Sequence, residues 1–151
     1  MIIPGLLQTS AYATRHLVSA GRADPGRVAI WGASAGGYTV LRALAITDVF
    51  AVGIARSAVA DLESWSRAAP KFQAHHAELL RSELSGESEA AIQRPLLLIH
   101  GDEDRVTPLE QARSLNARLV VIPGAGHTLR RPADVHRVLH VESEHVLLSG
   151  I

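Results

Sequence analysis

Four short apolar runs constrain this chain more than any other feature: RVAIWGA (27–33), AVGIARSAV (51–59), PLLLIHG (95–101) and RLVVIPGA (118–125). They are rich in Val and Ile and apolar on successive positions, the pattern of strands buried on both faces of a parallel sheet. Segments of helical pattern separate them, over about residues 10–20, 35–47, 72–84 and 108–116, with a last one near 133–148. In that last segment Val135, Val138, Leu139 and Val146 are expected on one face. Strand then helix, repeated, predicts an α/β fold. The pieces GRADPGR (21–27) and SGESEAAIQRP (85–95) read as connections from their Gly, Pro and polar content.

Composition narrows what such a fold can serve. A chain of 151 residues that is 47% hydrophobic can bury one ordinary core, and 20% charged residues is too few for a disordered tail. Fifteen basic and fifteen acidic side chains cancel, which argues against nucleic acid or an anionic membrane as partner. The absence of cysteine excludes disulfides and thiolate metal sites and fits a reducing compartment. No apolar run approaches the ~18 residues of a membrane span. A soluble, cytoplasmic protein is expected, with residues 1–20 a helical N-terminal segment and 21–151 the main domain.

The first run leads into GASAGG, which places Ser34 between Gly32 and Gly36 where strand gives way to helix. Gly-x-Ser-x-Gly in that context is a nucleophile elbow, a turn so tight that Cβ atoms two residues either side of the serine would collide. Gly32 and Gly36 are expected to relieve the crowding. The following helix N-terminus aims backbone N–H groups at charge forming beside the hydroxyl, so the Ala35 N–H is the candidate oxyanion donor. The plainer alternative is a small-residue turn with no chemistry. The preceding strand and the additional Gly37 favour the nucleophile.

A serine hydroxyl needs a base, and the base needs an acid to hold its tautomer. In this kind of fold the chain order is serine, acid, histidine, with the last two at strand ends. PLLLIHGDEDRVTP breaks at Gly101 into an acidic loop, and RLVVIPGAGHT breaks into a loop that carries His127. Asp102, Asp104 and, less suitably, Glu103 compete for the acid. Asp104 is preferred because it is expected further out on the loop, where it can reach across to His127, while Asp102 suits a bracing role. Taken alone, Asp104 could be a solvated loop carboxylate and His127 a surface histidine.

The other histidines, His16, His75, His76, His100, His136, His140 and His145, have no comparable setting. His75 and His76 are adjacent and splay apart on a helix, and the i, i+4 pair His136 and His140 has no obvious third ligand. No metal site is expected.

DPGRVAIWGASAGGYTVLRAL, PLLLIHGDEDRVTPLEQA and VVIPGAGHT together resemble the catalytic domain of the prolyl oligopeptidase family of serine peptidases, over about residues 20–140. The double glycine with tyrosine after the serine, and the Gly-Asp-x-Asp-Arg-Val-x-Pro loop, carry the likeness more than the pentapeptide does. The resemblance implies an α/β-hydrolase fold, Ser34 as nucleophile, Asp104 as acid, His127 as base and no cofactor. A peptide or small ester substrate follows. An esterase or thioesterase with the same triad is the alternative enzyme, and an inactive remnant serving in assembly is the alternative from another class.

Family catalytic domains are longer and usually follow a β-propeller, whereas this sequence opens just before the elbow strand. A reduced or truncated hydrolase is therefore expected, residues 21–151 being the C-terminal portion of the domain, without the loop that gives the second oxyanion N–H. The edge of RVAIW is expected to lack a neighbour. A second copy, an upstream domain or residues 1–20 would cover it.

Overall fold

Each apolar run becomes a strand, and each strand pairs in parallel with the next. The computed structural model describes residues 6–68 and 92–151. Among these, the strands are β1 (Ala29–Ala33), β2 (Val52–Arg56), β3 (Leu96–Gly101) and β4 (Arg118–Ile122). The helices are α1 (Leu6–Ser19), α2 (Ala35–Ile46), α3 (Leu62–Ala68), α4 (Leu109–Arg113) and α5 (Pro132–Leu148). The sheet runs β1-β2-β3-β4, parallel throughout, with Ala29 opposite Val52, Gly53 opposite Leu96 and Leu97 opposite Arg118. Parallel neighbours require a crossover; α2 and α4 supply two of them on one face, and α5, which follows the last strand, covers the other.

Alternation along the strands sorts the core into two layers. Ala55, Leu96 and Leu98 face Val40, Leu41 and Leu44 of α2 and Leu109 and Ala112 of α4. Ile54, Leu97 and Ile99 face the opposite way, toward Val138 of α5 together with Ile122, Ala125 and Leu129. Gly53 permits α2 to lie close, since a Cβ there would stand 2.4 Å from a Leu44 methyl carbon. Helix α1 packs on α2 and ends at Ser19, just before Gly21, whose φ of 67° lets the chain turn away.

Several expectations change in the structure. Burial on both faces holds for β2 and β3 only: β1 alternates exposed and buried residues, and β4 is mostly half-buried, because these two are the edges of the sheet. The second run stops being strand at Arg56, since Ser57 turns to a φ of 44°, and the fourth stops before Gly124 at φ 65°. The expected face of α5 is also wrong. Val138, Val141, Val146 and His145 turn inward, while Val135 and Leu139 are 41% and 53% exposed. Helix α3 was not foreseen; Asp61 caps it by accepting hydrogen bonds from the N–H groups of Glu63 (3.0 Å) and Ser64 (3.1 Å). The helix expected over 72–84 lies outside the described residues.

The carboxyl ends of all four strands share one edge of the sheet. There the chain leaves β1 at Ser34, β2 at Ser57, β3 at Asp102 and β4 at Pro123. Open parallel sheets bind ligands at that edge.

Candidate active site

Ser34 sits between β1 and α2 with φ 54° and ψ −119°, a backbone state that a side chain rarely adopts. Its surroundings over-determine it. The Ser34 N–H donates to the Arg56 carbonyl at 2.9 Å, and its own carbonyl accepts from the Val59 N–H at 3.2 Å and the Tyr38 N–H at 3.3 Å. A Cβ on Gly32 would stand 2.3 Å from the Gly36 carbonyl oxygen, so the turn is closed to any larger residue there. The crowding is one-sided, contrary to expectation: a Cβ on Gly36 meets nothing within 4 Å outside its own helix. The second steric requirement falls instead on Gly37, where a Cβ would lie 2.6 Å from the Ala58 Cβ. Ala35 opens α2, so its N–H has no intrahelical acceptor and is available beside the serine.

The loops after β3 and β4 are pressed together at Gly101, where a Cβ would stand 2.1 Å from the Ala125 carbonyl oxygen. Asp104 is folded inward by this packing. Its side chain is fully enclosed, with Oδ1 accepting from the Val106 and Thr107 N–H groups at 2.9 Å each and Oδ2 accepting from the Thr107 hydroxyl at 2.8 Å. Burial pushes the Asp104 carboxyl up, but hydrogen bonds from His127 and Thr107 outweigh it and hold the group down at about 2. Asp102 is the outward carboxylate of the pair. Its Oδ1 accepts from the Gly124 N–H at 2.6 Å and ties the two loops. The expected reason for choosing Asp104, a position further out on the loop, is thus reversed, since the loop turns back and buries it.

His127 spans the gap between the two. Nδ1 lies 2.8 Å from Asp104 Oδ2 and Nε2 lies 3.0 Å from Ser34 Oγ. An ionised carboxylate only accepts, so the hydrogen resides on Nδ1 and leaves Nε2 with a lone pair facing the serine hydroxyl. This is the arrangement in which the imidazole can take the hydroxyl proton.

Three further groups at this edge escaped the sequence reading. Thr107 is wholly buried beneath Asp104, His100 is wholly buried at the end of β3, and Ser57 is buried with positive φ and a hydroxyl that has no partner among the described residues. His100 carried a usable signal: a polar residue ending a fully buried strand must find a partner. That partner is the Thr107 carbonyl, 2.7 Å from His100 Nε2.

Among the described residues no group of three or more His, Asp or Glu is arranged to hold a metal ion. His75 and His76 lie outside those residues, while His136 and His140 are exposed on α5. Likewise, no helix among the described residues is long and apolar enough to cross a membrane.

A parallel sheet with helices on both faces, carrying a serine on a strained strand-to-helix turn, defines the α/β-hydrolase class. Solved structures of that class resemble it. A puromycin-hydrolyzing peptidase from Mycobacterium tuberculosis is 27% identical with a TM-score of 0.82, the match covering 95% of this chain and 25% of that one. The chain thus spans about a quarter of that peptidase. Two others are similar in fold alone. The acylaminoacyl peptidase of Pyrococcus horikoshii is 21% identical, with a TM-score of 0.59 over 88% of this chain and 25% of that chain. The monoacylglycerol lipase of Paleococcus ferrophilus is 18% identical, with a TM-score of 0.68 over 95% and 76%. Within the class the chain belongs to the prolyl oligopeptidase family, whose sequence profile matches residues 10–146.

Proposed function

We propose that this protein is a serine hydrolase that transfers the acyl group of a peptide or small ester to water through Ser34, His127 and Asp104. The observation that carries the reading is the unbroken line from Ser34 Oγ through both ring nitrogens of His127 to Asp104 Oδ2, with steps of 3.0 and 2.8 Å. Ser34 Oγ attacks the carbonyl carbon while His127 Nε2 takes its proton, and the carbonyl π pair moves onto oxygen. The Ala35 N–H, on the helix that begins beside the serine, stabilises that oxyanion. Collapse of the intermediate expels the amine or alcohol, which leaves with the proton from His127. Water then attacks the acyl-enzyme while His127 Nε2 takes one of its protons; collapse of the second intermediate breaks the bond to Ser34 Oγ, which receives that proton from His127, and the acid product keeps the other. Asp104 stays ionised throughout, orienting the ring and stabilising its charged form.

Membership of a serine peptidase family and similarity to a puromycin-hydrolyzing peptidase support an amide-cleaving role. Residues 21–151 then represent part of the catalytic domain. The edge of β1 faces away from β2, and in this reading it accepts a strand from a second copy or from another segment of a longer chain.

A fluorophosphonate probe tests the reading. Stoichiometric labelling of the wild type that disappears in Ser34→Ala is expected. Failure of the folded wild type to label would favour a remnant used in assembly, and turnover of nitrophenyl esters without nitroanilides would favour the esterase.

A further inference from the structure

The Thr107 side chain touches both Asp104 and His127, and a serine hydrolase triad has no assigned use for it. Its side-chain oxygen lies 2.8 Å from Asp104 Oδ2, 3.2 Å from the Ser57 carbonyl, 3.3 Å from His127 Nδ1 and 3.4 Å from His100 Nε2. A hydroxyl carries one hydrogen, so only one of these neighbours can receive a full bond from it. The Asp104 oxygen is the nearest and is charged, and it therefore takes the hydrogen. The Thr107 lone pairs then face nitrogen. His100 Nε2 must bear a hydrogen to bond the Thr107 carbonyl at 2.7 Å, since a carbonyl only accepts. His127 Nδ1 must bear one to bond Asp104.

We infer that Thr107 is a positioning residue for the acid and base, an assignment that rests on the triad proposed above. Its N–H and hydroxyl hold the two oxygens of one carboxylate, fixing the rotation of Asp104 about its Cβ–Cγ bond. Its oxygen also offers a lone pair, not a hydrogen, to His127 Nδ1, which favours the ring tautomer whose Nε2 accepts from Ser34. His100 anchors Thr107 from behind through the carbonyl. The two histidines thereby have different tasks: one faces the serine, and the other locks the loop that aims it.

Removing one hydrogen bond to a charged group without changing the shape of the side chain should lower turnover about tenfold. The test compares Thr107→Val, which keeps the shape, with Thr107→Ser, which keeps the hydroxyl. Rates on a nitrophenyl ester are taken per active site, counted by fluorophosphonate titration so that loss of folded protein does not enter. Thr107→Val is expected to lose about tenfold in kcat with KM unchanged, and Thr107→Ser to stay within about twofold of wild type. Wild-type turnover per site in Thr107→Val would overturn the assignment while leaving the triad standing. Absence of Ser34-dependent labelling in the wild type would overturn both. If Thr107→Val does not fold, Thr107→Cys keeps the volume with a much weaker donor, and wild-type turnover in that variant would equally overturn it.

Discussion

Gly32 lies directly against Gly36: a Cβ on the first would stand 2.3 Å from the carbonyl oxygen of the second, while a Cβ on the second meets nothing within 4 Å outside its helix. The elbow therefore depends on one glycine of the pair far more than on the other. Gly32→Ala must push backbone against backbone, and we expect loss of Ser34 labelling with a clear drop in Tm. Gly36→Ala should hold or gain stability, by up to about 1 kcal/mol, as alanine replaces glycine in a helix. Thermal unfolding of the two variants side by side checks this, and equal losses would contradict it.

The two aspartates of the β3 loop separate function from bracing. Asp104→Ala is expected to reduce kcat about 10³-fold or more, because His127 loses its orienting partner. Asp102→Ala removes the bond to the Gly124 N–H and a charge near Arg131, which should cost about 1 kcal/mol of stability and a few-fold in rate. Steady-state kinetics on both variants decides it, and a larger loss at 102 would transfer the acid role.

Asp104 also sets a pH dependence of stability. Its pKa falls from the ordinary 3.8 to about 2 in the folded protein, with burial opposing and the bonds from His127 and Thr107 prevailing. A depressed carboxylate contributes stability above its unfolded value and loses it as pH falls through the folded one. The contribution is about 2 kcal/mol, present at neutral pH and lost between about pH 4 and pH 2. The stability difference between wild type and Asp104→Asn in urea unfolding should narrow over that interval. A constant difference would show that Asp104 is not held in this way.

Glu142 on α5 links three elements near the β1 end of the sheet. It accepts two hydrogen bonds from Arg56 and one from the Trp31 indole N–H at 3.0 Å, and the Arg56 guanidinium lies over the Trp31 ring at 4.9 Å from its centre. Glu142→Ala should destabilise by about 1–3 kcal/mol, because a partly buried Arg56 is left without its carboxylate. It should also change Trp31 fluorescence. Unchanged emission would mean that Trp31 does not hold this contact in solution.

The alternation of strand and helix was legible because a strand covered on both faces has to be apolar at consecutive positions, as Leu96 to Ile99 are. The edge strands depart from this rule, since β1 is covered on one face only and β4 is half-buried over most of its length. Ser34, Asp104 and His127 could be singled out because each follows an apolar run, which places it at a strand's carboxyl end. Thr107 was not, because whether a loop side chain points in or out depends on the path of the loop, and His100, buried at the end of β3, finds its partner only where that loop folds back on it. That path is fixed by the contact of Gly101 with Ala125, residues distant in sequence. The inward face of α5 was misread for a similar reason. Asp134 and His145 are buried on it beside Val138, so apolarity alone does not mark the face.

The central claim is that Ser34, His127 and Asp104 act as one unit, and double-mutant kinetics test it most directly. Ester turnover is measured for Ser34→Ala, His127→Ala and the double variant. If the residues act together, each single change removes nearly all activity and the double variant is no slower than the worse single one. Losses that multiply in the double variant, or substantial turnover remaining after Ser34→Ala, would contradict it.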